Sequence, residues 1–124
     1  MKKIMVVDDE ADQIYTLKKM LESVSDEYEL VGVESGMQCL QLLKNGEQPD
    51  IIFLDIMMPK MTGWELYERI KDNVECNKIP IVFLTARTDN MASNAGGFLG
   101  DGFLNKPYDI KDIIKIIKEK TEKK

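Results

Sequence analysis

The stretch Ile51-Ile52-Phe53-Leu54-Asp55 is an apolar run that ends in a carboxylate, and Ile56-Met57-Met58-Pro59 follows it directly. Four consecutive large apolar residues predict a strand buried on both faces, as at the centre of a parallel sheet. In open α/β sheets, ligands bind beyond the carboxyl ends of the strands. The run therefore places Asp55 at the carboxyl end of a central strand, where a ligand-binding or catalytic residue is expected. The simpler alternative, an Asp that only opens the turn before Pro59, has to be weighed against the rest of the chain.

Four other short apolar runs predict further strands: Ile4–Val7, Tyr28–Val33, Ile79–Leu84 and Gly102–Leu104. Between and after them, apolar residues recur at helical spacing or follow helix caps. The predicted helices are Asp12–Val24, a helix capped by Ser35 and ended by Asn45-Gly46, a helix from the Thr62 cap to about Lys71, a short or frayed helix over Asp89–Leu99, and a helix capped by Asp109.

Strict alternation of five strands and five helices predicts one α/β domain over residues 1–124. The expected architecture is a doubly wound, five-stranded parallel sheet flanked by helices on both faces. The apolar faces of the first two helices are assigned to Ile14, Leu17, Leu21 and Val24, and to Met37, Leu40 and Leu43.

Composition and charge exclude several classes of function. The chain carries 17 Lys and Arg against 22 Asp and Glu, so a net charge of −5 gives no positive field for nucleic acid. It contains no histidine, which excludes His-based zinc sites and catalytic triads. Cys39 and Cys76 lack metal-ligand spacing, and a buried, reduced Cys39 fits a cytoplasmic location. No apolar stretch is long enough for a signal peptide or a membrane span.

Polar residues end several of the predicted strands and should meet at one edge of the sheet. They are Asp8, Asp9, Asp55, Thr85 and Lys106. Three neighbouring carboxylates repel one another, and oxygen ligands without His or Cys favour a hard cation such as Mg²⁺. A cation, a lysine and a hydroxyl around a carboxylate are suited to phosphoryl transfer. Because carboxylates form acyl phosphates, Asp55 is the candidate nucleophile.

Four motifs, spread over essentially the whole chain, resemble those of a known protein family. They are Val7-Asp8-Asp9-Glu10, Leu54–Pro59 with Gly63 four residues on, Leu84-Thr85-Ala86, and Lys106-Pro107. Their order and their positions at strand ends resemble the receiver domains of two-component response regulators, the family of the single-domain chemotaxis regulator. The resemblance implies a flavodoxin-like, receiver-type fold and a phosphorylation-dependent switch.

The resemblance also implies a role for each motif residue. Asp55 resembles the phosphoacceptor, Asp8 and Asp9 the acidic pair that holds Mg²⁺, and the Met57 backbone carbonyl a further metal ligand. Thr85 resembles the hydroxyl that turns toward the phosphoryl group. Two more residues complete the set, the pairing cation Lys106 and the aromatic switch residue Phe103.

Some positions keep alternatives open or depart from the family pattern. Phe103 is either an ordinary core residue or the switch ring. Met57 and Arg87 occupy positions that in this family influence how long the phosphate lasts. The stretch between Thr85 and Lys106 is glycine-rich and short for the family, in the segment that normally forms the fourth helix.

The implied partners are proteins. A sensor histidine kinase or a phosphotransfer protein would donate the phosphoryl group, and an unknown downstream protein would bind the changed face. Direct binding to nucleic acid or membrane is not expected, and the chain is expected to be a monomer or a phosphorylation-dependent dimer. It would catalyse only its own phosphorylation and dephosphorylation, with no effector domain in residues 1–124.

Three rival functions use the same features. A Mg²⁺-dependent phosphohydrolase of the haloacid dehalogenase type also forms an aspartyl phosphate, but it requires a second acid where this chain has Met57. A flavodoxin-like cofactor binder would require a phosphate-binding loop after the first strand, which is absent from the sequence. A degenerate receiver would act as a phosphate-independent interaction module, yet every motif residue is present.

Overall fold

The computed structural model describes residues 2–86, 102–106 and 108–122, and it contains one parallel sheet. Its five strands are β1 (Lys2–Val7), β2 (Tyr28–Val33), β3 (Ile51–Asp55), β4 (Ile81–Ala86) and β5 (Gly102–Lys106). They are ordered β2-β1-β3-β4-β5, and every adjacent pair is parallel. The chain therefore starts near the middle of the sheet and winds outward in both directions, which confirms the doubly wound α/β prediction.

Four helices lie within these residues: α1 (Ala11–Val24), α2 (Gly36–Lys44), α3 (Gly63–Lys71) and α4 (Ile110–Thr121). The further helix expected over Asp89–Leu99 falls outside the described residues. The described part thus contains four of the five helices expected, each close to its predicted bounds. None of the helices in this part of the chain is both long enough and apolar enough to cross a membrane.

Alternate residues of the central strands point to two separate apolar layers. Ile52 and Leu54 of β3 pack with residues of α2 and α3, whereas Ile51 and Phe53 pack with residues of α1 and α4. All five residues of β3 are buried. A strand covered on both faces needs apolar residues in succession, which explains the sequence of β3.

Helix caps fix where the helices begin. The Ser35 hydroxyl accepts a hydrogen bond from the Gln38 amide at 3.1 Å and so starts α2. Thr62 forms the predicted capping box with Glu65: the Glu65 amide donates to Thr62 Oγ1, and the Thr62 amide donates to Glu65 Oε1. This capping box starts α3 at the end of the loop that connects Asp55 to the helix.

Several sequence predictions about strand bounds and burial were wrong. β4 begins at Ile81 rather than Ile79, because the Ile79 amide bonds back to the Cys76 carbonyl and Pro80 has no amide hydrogen to donate. Val24 is 52% exposed at the end of α1, and Met37 is 64% exposed in the first turn of α2, so neither belongs to the apolar face assigned to it.

Candidate functional site

Three carboxylates converge at the carboxyl edge of the sheet. Asp8 and Asp9 follow β1 directly, and Asp55 is the last residue of β3, the strand paired with β1. One carboxylate oxygen from each lies within 4.8 Å of one from each of the others. The sequence prediction that these three acids would meet is therefore correct in its geometry.

Asp8 is fixed by backbone contacts on both sides. Its amide donates to the Val33 carbonyl at the end of β2 (3.0 Å), and its Oδ1 accepts from the Glu10 amide at 2.9 Å. The residue is 1% exposed, whereas its neighbour Asp9 is exposed. Asp8 is thus a buried, oriented acid, and Asp9 is the solvent-facing member of the pair.

Asp55 is held by the loop that follows it. The residue is 8% exposed, and its Oδ1 accepts a hydrogen bond from the Met57 amide at 3.2 Å. Met57 is 69% exposed, so the loop that bonds to the carboxylate through its backbone presents an apolar residue to solvent. In the same loop, Met58 and Met61 are buried and anchor the segment to the core.

Gly63 lets the start of α3 approach the end of β3 closely. A Cβ atom on Gly63 would lie 2.6 Å from the Asp55 carbonyl oxygen and 2.8 Å from the Ile56 Cα. The Gly63 amide also donates to the Ile56 carbonyl at 2.9 Å. The glycine is therefore needed because backbone, rather than a movable side chain, fills the space beside it.

The remaining predicted site residues lie on the adjacent strands of the same sheet. Thr85 is near the carboxyl end of β4, which pairs with β3, and Lys106 is the last residue of β5. β4 and β5 pair with Thr85 opposite Asn105 and Ala86 opposite Lys106. The backbone therefore brings both positions to the edge that carries Asp55.

Phe103 lies opposite Phe83 in the β4–β5 register and is half-buried. It packs against the apolar layer of α2 and α3, which includes Phe83. Phe83 in turn contacts the rings of Trp64 and Tyr67, with centroid distances of 4.5 and 5.4 Å. Phe103 is thus part of an aromatic layer, and its switch role stays a prediction.

Two features of the loop after Asp55 were not foreseen from the sequence. One is the hydrogen bond from the Met57 backbone amide to Asp55, since any residue except proline would supply that amide. The other is the backbone of Lys60, whose φ of 68° lies in a region that usually favours glycine. Nothing about a lysine between Pro59 and Met61 indicates such a conformation, although the turn itself was expected from Pro59.

The donor set suits a hard divalent cation. Three carboxylates from two adjacent strands offer only oxygen atoms, and neither cysteine lies at this edge, because Cys39 and Cys76 are buried in the layer of α2 and α3. Mg²⁺ is typically bound by a few carboxylates while it keeps several waters. The exposed Asp9 and the buried Asp8 and Asp55 fit that pattern, with one side of the cluster open to solvent.

Comparisons with known proteins agree with this arrangement. Residues 4–118 match the family model of the response regulator receiver domain. The polar-differentiation response regulator DivK of Brucella ovis is 28% identical over 120 residues, which cover 94% of each chain. Histidine kinase P4 of Formosa agariphila is 30% identical over 120 residues, but this chain spans only 8% of that protein's length.

A solved structure gives the same result for the fold. The CheY-like response regulator receiver domain protein of Methanospirillum hungatei superposes with a TM-score of 0.81 and is 32% identical, with 98% of this chain and 94% of that chain covered. The family model covers nearly the whole sequence. The order of the strands and the acidic cluster at the carboxyl ends of the strands are consistent with that match. The chain belongs to the response regulator receiver domain family of two-component signalling systems.

Proposed function

We propose that this receiver domain is switched by phosphorylation of Asp55 with Mg²⁺ bound beside it. The observation that carries the proposal is the cluster of Asp8, Asp9 and Asp55, whose carboxylate oxygens lie within 4.8 Å of one another at the carboxyl edge of the sheet. Such a cluster is costly without a cation, and a cation there would also neutralise an incoming phosphoryl group.

Asp8, Asp9, Asp55 and the Met57 carbonyl would hold the ion, which supplies charge neutralisation to the transferring oxygens. Asp8 is already oriented by the Glu10 amide, so binding requires little rearrangement of that carboxylate. The Met57 amide holds one oxygen of Asp55. A carboxylate oxygen of Asp55 would attack phosphorus.

The transfer step forms an Asp55 oxygen–phosphorus bond and breaks the phosphorus–nitrogen bond of a phosphohistidine in the donor. The donor would be a sensor histidine kinase or a phosphotransfer protein. Lys106 would pair with the phosphoryl oxygens, and the Thr85 hydroxyl would hydrogen-bond to them. Both proposed roles are supported by the backbone register, which brings these two positions to the Asp55 edge.

The output would be a change in the face around β5. A Thr85 that turns toward the phosphoryl group would leave space on the β4 side, and Phe103 would move into it. The proposal is supported by the register, which pairs Phe103 of β5 with Phe83 of β4. The recipient would be a downstream protein in the cytoplasm. Self-association on phosphorylation belongs to the same proposal.

The rival hydrolase is less well supported. Position 57, two residues after the proposed nucleophile, holds an exposed methionine instead of a second acid. A general acid for the leaving group is therefore missing from that position. The alternative that the experiment has to exclude is a receiver domain that binds its partner without being phosphorylated.

The test is intact-mass spectrometry after incubation with acetyl phosphate and Mg²⁺. The native chain should gain one labile phosphoryl group, and EDTA or Asp55→Asn should prevent the gain. Asp26→Asn is the matched control, because Asp26 is exposed in the turn before β2, at the opposite edge of the sheet. An Asp55→Asn protein that is labelled as well as the Asp26→Asn protein would overturn the assignment.

A further inference from the structure

Met57 combines solvent exposure with a fixed position beside Asp55. The residue is 69% exposed, and its backbone nitrogen lies 3.2 Å from Asp55 Oδ1. Because the N–Cα bond is about 1.5 Å long, the Met57 Cα is at most about 4.7 Å from that oxygen. Met57 is therefore an exposed residue that carries a thioether and whose Cα lies beside the Asp55 carboxylate.

The other methionines whose side chains are described differ in exposure. Met5 is fully buried, Met58 is 7% exposed and Met61 is 9% exposed, whereas Met37 on α2 is 64% exposed. Met20 is intermediate. Oxidation of a thioether by a peroxide requires access, so Met57 and Met37 should react before the three buried residues. Only Met57 of this exposed pair is hydrogen-bonded to Asp55.

We propose that Met57 is an oxidation site that controls how long Asp55 stays phosphorylated, which rests on the function proposed above. A hydroperoxide is the oxidant. One of its oxygens is transferred to the Met57 sulfur, the O–O bond breaks, and water or an alcohol leaves. The sulfur is oxidised by two electrons to the sulfoxide, and the peroxide is reduced by the same two electrons.

The chemical change at sulfur alters the surroundings of the phosphoryl group. A thioether is apolar and accepts hydrogen bonds weakly, so the Met57 side chain would not hold a water molecule beside Asp55. A sulfoxide oxygen accepts hydrogen bonds and can hold a water molecule there. Since hydrolysis of the acyl phosphate needs water at phosphorus, oxidation of Met57 should shorten the lifetime of the phosphorylated state.

The modification is reversible in principle. Methionine sulfoxide reductases return the sulfoxide to the thioether. Treatment with these enzymes should therefore restore the original lifetime. Because the backbone amide of Met57 makes the bond to Asp55 and oxidation alters only the side chain, the fold of the loop should be retained.

The experiment uses limited hydrogen peroxide on the native chain and on the variants Met57→Leu and Met37→Leu. Peptide mass spectrometry locates the sulfoxides. Each protein is then phosphorylated with acetyl phosphate and Mg²⁺, the phosphodonor is removed, and loss of phosphate is followed by intact mass. Every treated protein is compared with its own untreated sample, so the variants need not share one basal rate.

We expect sulfoxide at Met57 and Met37 before Met58 and Met61. The phosphate lifetime should shorten by about threefold or more in the native chain and in Met37→Leu, and should be unchanged in Met57→Leu. The reductases should reverse the effect.

Three results would overturn the inference. One is oxidation of Met58 or Met61 ahead of Met57, another is Met57 sulfoxide with an unchanged lifetime, and the third is equal shortening in Met57→Leu. If the untreated chain accepts no phosphate at all, the proposed function fails and this inference fails with it. If the chain is fully phosphorylated and Met57 is oxidised, a normal phosphate lifetime rejects the role of Met57 but leaves the proposed function of Asp55 intact.

Discussion

Lys60 illustrates a local cost in the loop after Asp55. Its φ of 68° lies in the left-handed region, where a side chain costs about 1–2 kcal/mol relative to glycine. A glycine there would relieve that strain but would lose about 0.5–1 kcal/mol through unfolded-state entropy. We therefore predict that Lys60→Gly raises the free energy of unfolding by about 0.5–1 kcal/mol in urea titrations.

Gly46 supplies the control for this prediction. Its φ is 100°, and a Cβ atom added to it would meet nothing within 4 Å. Gly46→Ala should thus destabilise the chain by about 1 kcal/mol through backbone strain alone. A Lys60→Gly protein that is less stable than the native chain would show that the lysine side chain contributes more than its backbone costs.

Because the Cys39 thiol is buried, the free energy of unfolding should fall as the pH rises above 9. Burial in the layer of α2 and α3 raises the pKa of its thiol from 9.0 to about 12, with a smaller contribution from Cys76. A raised folded-state pKa stabilises the protein fully below the unfolded-state pKa, and this contribution is lost as pH rises toward the folded-state value. Between pH 9 and about 12, Cys39 should therefore reduce the free energy of unfolding by up to about 1.4 kcal/mol per pH unit.

Lysine and tyrosine side chains also titrate in this range, so the measurement compares the native chain with Cys39→Ala. The variant should be less stable at pH 8 because it leaves a cavity, and its stability should fall less steeply with pH. Parallel curves for the two proteins would contradict the attribution to Cys39.

At the scale of elements, the start of α3 packs closely against the backbone of Asp55. Gly63 and Gly36 are both the buried first residues of helices, but they differ in what a Cβ atom would meet. At Gly63 it would meet the Asp55 backbone at 2.6 Å, and at Gly36 the Met61 sulfur at 2.5 Å, the flexible end of a side chain.

We predict that Gly63→Ala costs about 1–3 kcal/mol and strongly reduces labelling by acetyl phosphate, because backbone must move. Gly36→Ala should cost less and keep labelling, because the Met61 side chain can turn aside. Urea unfolding and intact mass measure the two effects. Full labelling of Gly63→Ala at native stability would show that the close approach is unimportant.

The elements also show what the sequence determines and what it leaves open. The runs of β1 and β3 and the caps Ser35 and Thr62 were predictable, because apolar succession and capping are local signals. The start of β4 was not, since it depends on the Ile79 amide turning back to Cys76. The exposure of Met37 likewise depends on tertiary contacts, as helical spacing alone assigned it to the core.

The sequence predicted that Asp8, Asp9 and Asp55 would lie close together, because the carboxyl ends of parallel strands lie at the same edge of a sheet. The structure confirms this. The sequence did not predict that Asp8 is buried and Asp9 exposed. It also missed the Met57 amide bond to Asp55, since backbone donors leave no trace in the sequence.

At the scale of the whole molecule, Mg²⁺ should stabilise the folded chain. Only the folded state brings the three carboxylates together, so binding shifts the unfolding equilibrium, by about 2.7 kcal/mol when the ion is at a hundred times its dissociation constant. Thermal unfolding with and without Mg²⁺ measures the shift. Asp9→Asn should reduce it strongly, whereas Asp26→Asn should not. Equal shifts in both variants would indicate nonspecific binding to an acidic surface.

The proposed switch requires that Asp55 itself carries the phosphate. Borohydride reduces an aspartyl phosphate to homoserine, so the modified position can be read by peptide mass spectrometry after treatment with acetyl phosphate and Mg²⁺. We predict homoserine at position 55, and none when EDTA replaces Mg²⁺. Homoserine at position 8 or 9 instead, or no homoserine in a chain that binds Mg²⁺ normally, would contradict it.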